Sequence, residues 1–205
     1  MIDCHVHYPC KVKNAIIIPN KSNNYAAECK IVLESSKMCF GRLHPERNDI
    51  DDLRILYEMG IKGLKLNSVS DNFNLLSENS LKIINKCAEL NLPLLIHSDE
   101  AKATPDEFEK LAKKTNAKII IAHAGKCRSA EIKDLLRKYE NLYADTSLIS
   151  LYRLNNLLEV ADKLCFGSDT PYSHFKIEKM KVELSAATPK EKKMIFSENI
   201  LKLIK

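Results

Sequence analysis

The sequence predicts an α/β fold, a single small and distorted (β/α)8 barrel spanning residues 1–205, on three observations. Short apolar runs alternate with helical patterns along the whole chain, as in proteins built around a parallel sheet. The runs number eight, the count that closes such a barrel. Several of them end in histidine or aspartate, and the C-terminal rim of a parallel barrel is where reactive side chains from different strands meet. An open doubly wound sheet is the competing architecture.

The first run, Ile2 to Val6, carries Asp3 and His5 at alternate positions, with His7 next in the alternation. Side-chain direction repeats every two residues in a strand, so His5 and His7 share a face and can share one cation. The second run, Ala15 to Ile18, follows after only Tyr8 to Asn14. A parallel crossover with its helix needs about a dozen residues or more, so the first helix is missing. Either a distorted barrel or a neighbouring subunit of a homo-oligomer is expected to cover that side. The third and fourth runs are Met38 to Leu43 and Ile61 to Leu66, separated by an Asp51 to Met59 helical segment that Gly60 stops. Parity on the fourth places Gly63, Lys65 and Asn67 on one face and Leu64 and Leu66 on the other. Leucines packed on helices leave Lys65 inside.

Pro93 to Ile96 ends in His97, and Lys118 to Ala122 ends in His123. Between them Thr104, Pro105 and Glu107 form a capping box with proline at the first helical position, and Thr188, Pro189 and Glu191 repeat it. Leu142 to Ala144 leads to Asp145, and Leu164 to Gly167 leads through Ser168 to Asp169. Neither an internal repeat nor a low-complexity stretch interrupts this order.

Composition narrows the function. The hydrophobic content of 45% suits a substantial core, and the net charge of +5 comes mainly from lysines spread over helices, such as Lys110, Lys113 and Lys114. Without aromatics interleaved in a basic stripe, nucleic acid is not the expected partner. Seven cysteines, with no close C-x-x-C pair, read as reduced thiols. No apolar run approaches the roughly 18 residues of a membrane span, and no leader precedes the first strand, so a cytoplasmic location with no membrane partner is expected.

Other polar residues carry two readings each. Arg42 and His44, if they share the barrel face of the third strand, could receive a substrate carboxylate, with Arg42 as a two-bond clamp; the alternative is an arginine paired with an acidic neighbour at the rim. Asp99 and Glu100, just past His97, are either acceptors that orient an imidazole or loop residues, and Asp145 carries the same ambiguity. Asp169 is a ligand or a turn residue among Ser168, Thr170 and Pro171. Cys4 has the wrong parity for a ligand, and Cys127 lies past His123 in a loop.

Six segments together resemble the amidohydrolase superfamily, in its amidohydrolase-related branch. They are I-D-C-H-V-H (2–7), G-I-K-G-L-K-L (60–66), L-L-I-H-S-D-E (94–100), I-I-I-A-H-A-G (119–125), N-L-Y-A-D-T-S (141–147) and C-F-G-S-D-T-P (165–171). F-S-E-N-I-L-K-L (196–203) is similar to the family's closing helix. The resemblance implies a TIM barrel in which His5, His7, His97 and Asp169 surround one divalent metal, zinc first and manganese or iron as alternatives. It implies that His123 faces the substrate, polarising a carbonyl or stabilising negative charge, and that Asp169 shuttles a proton. Lys65 would contact the substrate, form a structural ion pair or, if carboxylated, bridge to a second metal. The implied activity is metal-dependent hydrolysis of an amide, lactone or related bond in a small, anionic molecule. The alternatives are non-oxidative decarboxylation of an unsaturated or aromatic acid, a nuclease-like phosphoesterase with a second metal, and a catalytically silent barrel used for binding.

Overall fold

In the computed structural model, which describes residues 1–10 and 12–204, eight parallel strands follow one another in chain order around a barrel. They are β1 (Asp3–His7), β2 (Ala15–Ile18), β3 (Phe40–Arg42), β4 (Gly63–Leu66), β5 (Leu94–Ile96), β6 (Ile119–Ile121), β7 (Leu142–Asp145) and β8 (Leu164–Cys165). β3 to β8 form one continuous sheet and β1 pairs separately with β2. Single bridges, Ile17 to Cys39 and Val6 to Thr170, join that pair to the sheet on both sides. The ring is thereby closed, which removes the open doubly wound alternative. It is closed unevenly: β8 is shorter than the Leu164 to Gly167 run, because past Cys165 the chain bonds outside the ladder, Phe166 accepting from the Cys4 N–H at 2.8 Å.

Alternation sorts the strand residues into two cores. Leu64, Leu66, Leu94, Ile96, Ile119 and Ile121 face outwards to the helices. Leu95 and Ile120 face inwards with Cys4, Ile16, Ile18, Phe40, Ala122 and Cys165. Lys65 lies between Leu64 and Leu66, so the same parity turns it into the barrel, where it is 1% exposed. On β1 the alternation is interrupted. Asp3 pairs with Ala15 but Val6 with Ile17, so one extra residue on β1 forms a bulge. The bulge turns Cys4 into the inner core, against the simple parity expected of it.

Helices α1 (Tyr25–Ser35), α2 (Ile50–Glu58), α3 (Glu78–Glu89), α4 (Pro105–Ala112), α5 (Ser129–Lys138) and α6 (Leu151–Leu157) occupy the gaps between later strands, and α7 (Phe175–Leu184) follows β8. Their starts are set locally: Asp49, Thr104 and, ahead of α8 (Pro189–Lys193), Thr188 each close a complete capping box. Gly60 ends α2 with φ 93°, a conformation that favours glycine. The chain then runs from α8 through one wide turn, 194–198, into α9 (Asn199–Leu203). In that turn the carbonyls of Ile195 and Phe196 accept from the N–H groups of Phe166 and Ile2, at 2.8 and 2.7 Å. Ile200 and Leu203 pack with the inner core, so this segment closes the barrel at the end away from the rim.

Among the described residues no helix joins β1 to β2. Tyr8, Cys10 and Val12 of the connection instead pack against the outer core, and Val6, Ala15 and Ile17 beneath them are buried. The expected thin side is thus covered by loop side chains, and the barrel is distorted there. Among the described residues no disulfide is formed; five of the seven cysteines are buried and Cys127 is exposed. No helix among them is long and apolar enough to cross a membrane.

Gly63 marks the tightest crossing between β3 and β4. A Cβ there would lie 2.6 Å from the Phe40 ring and 2.7 Å from the Pro93 carbonyl oxygen. Gly63→Ala is expected to lower the free energy of unfolding by about 1–3 kcal/mol, read from urea titrations with Gly60→Ala as a strain-only comparison.

Candidate metal centre

At the rim, the β1 bulge and the β8 turn bring three candidate ligands together. His5 Nε2 and His7 Nε2 each lie 3.1 Å from the same oxygen, Asp169 Oδ1, and the ligand atoms of the three residues are all within 4.8 Å of one another. Asp169 reaches this point because its backbone turns left-handed, with φ 55°, while its N–H donates to the His5 carbonyl at 2.7 Å. Asp3 supports the join from below: its Oδ1 accepts from the Ser168 N–H at 2.9 Å and the His5 N–H at 3.2 Å.

His97 and His123 form a second pair beside the first. His123 Nε2 is 3.3 Å from His97 Nδ1, and the His123 ring stacks on His5 with centroids 5.2 Å apart. Lys65 Nζ is 3.0 Å from His5 Nε2. His7, His97, His123, Lys65 and Asp169 line one cavity of about 360 Å³ that opens at the rim.

Asp145, at the end of β7, organises this cluster. Its Oδ2 accepts from His5 Nδ1 at 2.8 Å, and its Oδ1 accepts from the His123 N–H, the Ser147 N–H and the Ser147 hydroxyl. A proton on His5 Nδ1 leaves Nε2 with a lone pair directed at His7, Lys65 and Asp169, the form a metal ligand needs. The Ser147 hydroxyl gives its one proton to Asp145, so it accepts from His123 Nδ1 at 2.8 Å. His123 Nε2 is then an acceptor too, which differs from a carbonyl-polarising donor. Sequence reasoning left Asp145 ambiguous, because nothing in a strand-end aspartate reveals which imidazole it will meet across the barrel.

Burial sets the protonation states. It holds the His5 and His7 rings below the usual imidazole range, with the Lys65 ammonium adding to the effect. The same two causes bring His97 down to about 4, and burial brings His123 down to about 2. Burial also lowers Lys65 to about 8 and raises Asp3 to about 7. Neutral imidazoles gathered around a carboxylate, with the His5 Nε2 lone pair turned towards it, fit a divalent cation of the zinc, manganese or iron class.

The remaining candidates lie further from this cluster. Arg42 reaches the cavity wall, but its Nη2 donates to both carboxylate oxygens of Asp71 at 3.0 Å and to Ser70, the acidic pairing weighed above. His44 accepts from the Glu46 N–H and is 2.8 Å from the Asp71 carbonyl oxygen; it is not among the residues lining the cavity. Asp99 pairs with Lys126, and Glu100 is exposed.

A family model described as amidohydrolase matches residues 23–205, a span that begins beyond His5 and His7. No curated protein matches the chain. Among solved structures, an uncharacterised TIM-barrel protein from Bordetella bronchiseptica aligns with a TM-score of 0.78 at 12% identity, over 92% of this chain and 76% of its own. A probable 2-pyrone-4,6-dicarboxylic acid hydrolase from Acinetobacter baumannii, solved with citric acid bound, aligns at 0.69 with 16% identity, over 99% and 98%. A dihydroxybenzoic acid decarboxylase from Polaromonas, with bound manganese and an inhibitor, aligns at 0.65 with 16% identity, over 93% and 81%. These similarities extend to the barrel fold.

Two outcomes follow from this geometry. Asp145→Asn is expected to weaken zinc binding about 10- to 100-fold in competition with a chromophoric chelator, because the His5 ring loses the carboxylate that orients it. The metal-free protein is expected to lose stability as pH falls from about 6.5 towards 4. An unfolded His97 takes up its proton near 6.5 while the folded ring resists until about 4, so acid in that window favours unfolding; urea midpoints measured across it check the direction.

Proposed function

The chain belongs to the amidohydrolase family, and on that premise we propose that it is a metal-dependent hydrolase cleaving an amide, lactone or related bond of a small anionic molecule. The observation that carries the reading is the convergence of His5 Nε2 and His7 Nε2 on one oxygen of Asp169, at the wall of a cavity that His97 and His123 also line. His5, His7, His97 and Asp169 would hold one divalent ion, zinc in the first instance, with a second only if Lys65 is carboxylated. Such an ion supplies a water acidified to near neutrality and a polarised substrate carbonyl.

The protein's own groups do the rest. Asp169, with Oδ1 facing the cluster, accepts the proton of the attacking water and returns it to the leaving group. His123 Nε2, an acceptor in the tautomer set by Ser147, aligns that water by a hydrogen bond. Oxyanion stabilisation passes to Lys65, whose ammonium is dehydrated and donates to the carbonyl oxygen as charge develops there. Asp145 keeps His5 in one tautomer throughout.

Decarboxylation of a small acid is the second reading, and the dihydroxybenzoic acid decarboxylase that shares the barrel is what keeps it in view. Metal content by mass spectrometry is the first test, with a His5→Ala, His7→Ala double variant as control. About one metal ion per chain, lost in the variant, is expected, and about two would point to a carboxylated Lys65. Protein that binds neither zinc nor manganese would overturn the reading. Turnover in water labelled with heavy oxygen then separates the reactions: heavy oxygen in the organic product marks hydrolysis, and an organic product without it, formed with carbon dioxide release, marks decarboxylation.

A further inference from the structure

The cavity over the candidate centre has more positive charge than the hydrolytic reading uses. Lys21, Arg42, Lys65 and Lys126 all line it, and Asp169 is the one carboxylate among its described lining residues. The cations stand at two separate places. Lys21 follows β2 and Arg42 is on β3, whereas Lys126 follows β6. Strands four places apart in a ring of eight lie on opposite sides, so Lys126 faces the Lys21 and Arg42 group across the mouth.

The first group is only half neutralised by its surroundings, and the second is neutralised by one partly exposed pair. Lys21 and Arg42 share a single carboxylate, that of Asp71, at 3.4 and 3.0 Å, which leaves one positive charge over. Lys126 meets Asp99 at 3.3 Å in a pair whose side chains are 34% and 29% exposed, weak enough in water to yield to an incoming carboxylate. The backbone makes an unusual turn to put Lys126 there. His123, Ala124, Gly125 and Lys126 are all left-handed, with φ of 58°, 42°, 74° and 49°, and three of the four have a Cβ that opposes it. Strain of this kind persists where surrounding structure enforces it, and it gathers at sites of function. Gly125 is pressed against α5, where a Cβ would lie 2.5 Å from Ile132 Cγ1, so the turn has no slack.

We propose that the cavity recognises a dicarboxylate, one carboxylate held by Lys126 and the other by the Lys21 and Arg42 group, with the reacting bond between them. The assignment rests on the proposed hydrolase only for the fate of that bond. Lys21 and Lys126 are specificity-determining residues in this scheme and take no part in the chemistry.

Calorimetric titration of the full chain with succinate, glutarate, adipate and butyrate tests it, with zinc and without, so that chelation of the metal is separated from binding by the lysines. At least one dicarboxylate is expected to bind about tenfold or more tightly than butyrate in both forms, the gain of a second charge-assisted contact. Lys126→Met and Lys21→Met should each remove that preference, while Lys126→Arg and Lys21→Arg keep it. The proposal is overturned if no dicarboxylate outbinds butyrate in the wild-type protein, a result that needs no variant to fold, or if both methionine variants retain the preference. Selective dicarboxylate binding without metal-dependent hydrolysis would sink the hydrolase reading and leave this one standing; hydrolysis indifferent to a second carboxylate would do the reverse.

Discussion

The buried carboxylate of Asp145 is the contact on which the rest of the rim depends. It ties β1 to β7 through His5 Nδ1 and holds the turn after β6 through the His123 N–H. A fully buried carboxylate is costly unless its lone pairs are used, and here four donors use them. The same bonds settle the tautomers of two histidines, one directly and one through Ser147. Structure and reactivity are therefore set by one group, because a hydrogen bond that orients a ring also decides which nitrogen keeps its lone pair.

Dehydration explains why four imidazoles sit beside the Lys65 ammonium without ionising. Five titratable groups, His5, His7, His97, His123 and Lys65, crowd the inner rim, and burial lowers the proton affinity of each. A cluster of this kind is a poor place for additional positive charge in the form of protons, yet its lone pairs suit a metal ion held with Asp169. Of the cavity's other cations, Lys21 and Lys126 are open to water, while Arg42 is buried against Asp71. They are matched to Asp71 and Asp99 only in part, which separates the groups suited to holding a metal from those suited to holding a substrate.

The missing first helix shows how much irregularity a closed barrel tolerates. Backbone bonds on both flanks of β1 and β2 replace a full ladder, and the side chains of Tyr8, Cys10 and Val12 replace a helix as outer cover. At the opposite end the wide turn of the last helix frees two carbonyls for β1 and for the chain beyond β8. Each departure occurs where β1 must join its neighbours, and β1 carries two of the proposed ligands. The bulge that turns both Cys4 and His5 inwards belongs to the same accommodation.

Eight strands, the inward face of Lys65 and three capping boxes follow from local rules, two of the boxes and all eight strands being readable in the chain. Alternation of period two and the N-cap pattern act over a few residues and need no partner. The placement of His97 and His123 just past strand ends is legible for the same reason, whereas Asp169 stands in a left-handed turn beyond the end of β8. What the sequence leaves open is which side chains meet. The β1 bulge depends on pairing with β2, and Arg42 turns to Asp71, twenty-nine residues on, rather than presenting its whole guanidinium to the cavity. Asp145 finds His5 one hundred and forty residues away. By itself the sequence determines the barrel and the residues at its rim, since periodicity is a local property. Only the tertiary structure decides which of them touch and which nitrogens carry protons, because those outcomes depend on distances across the closed ring.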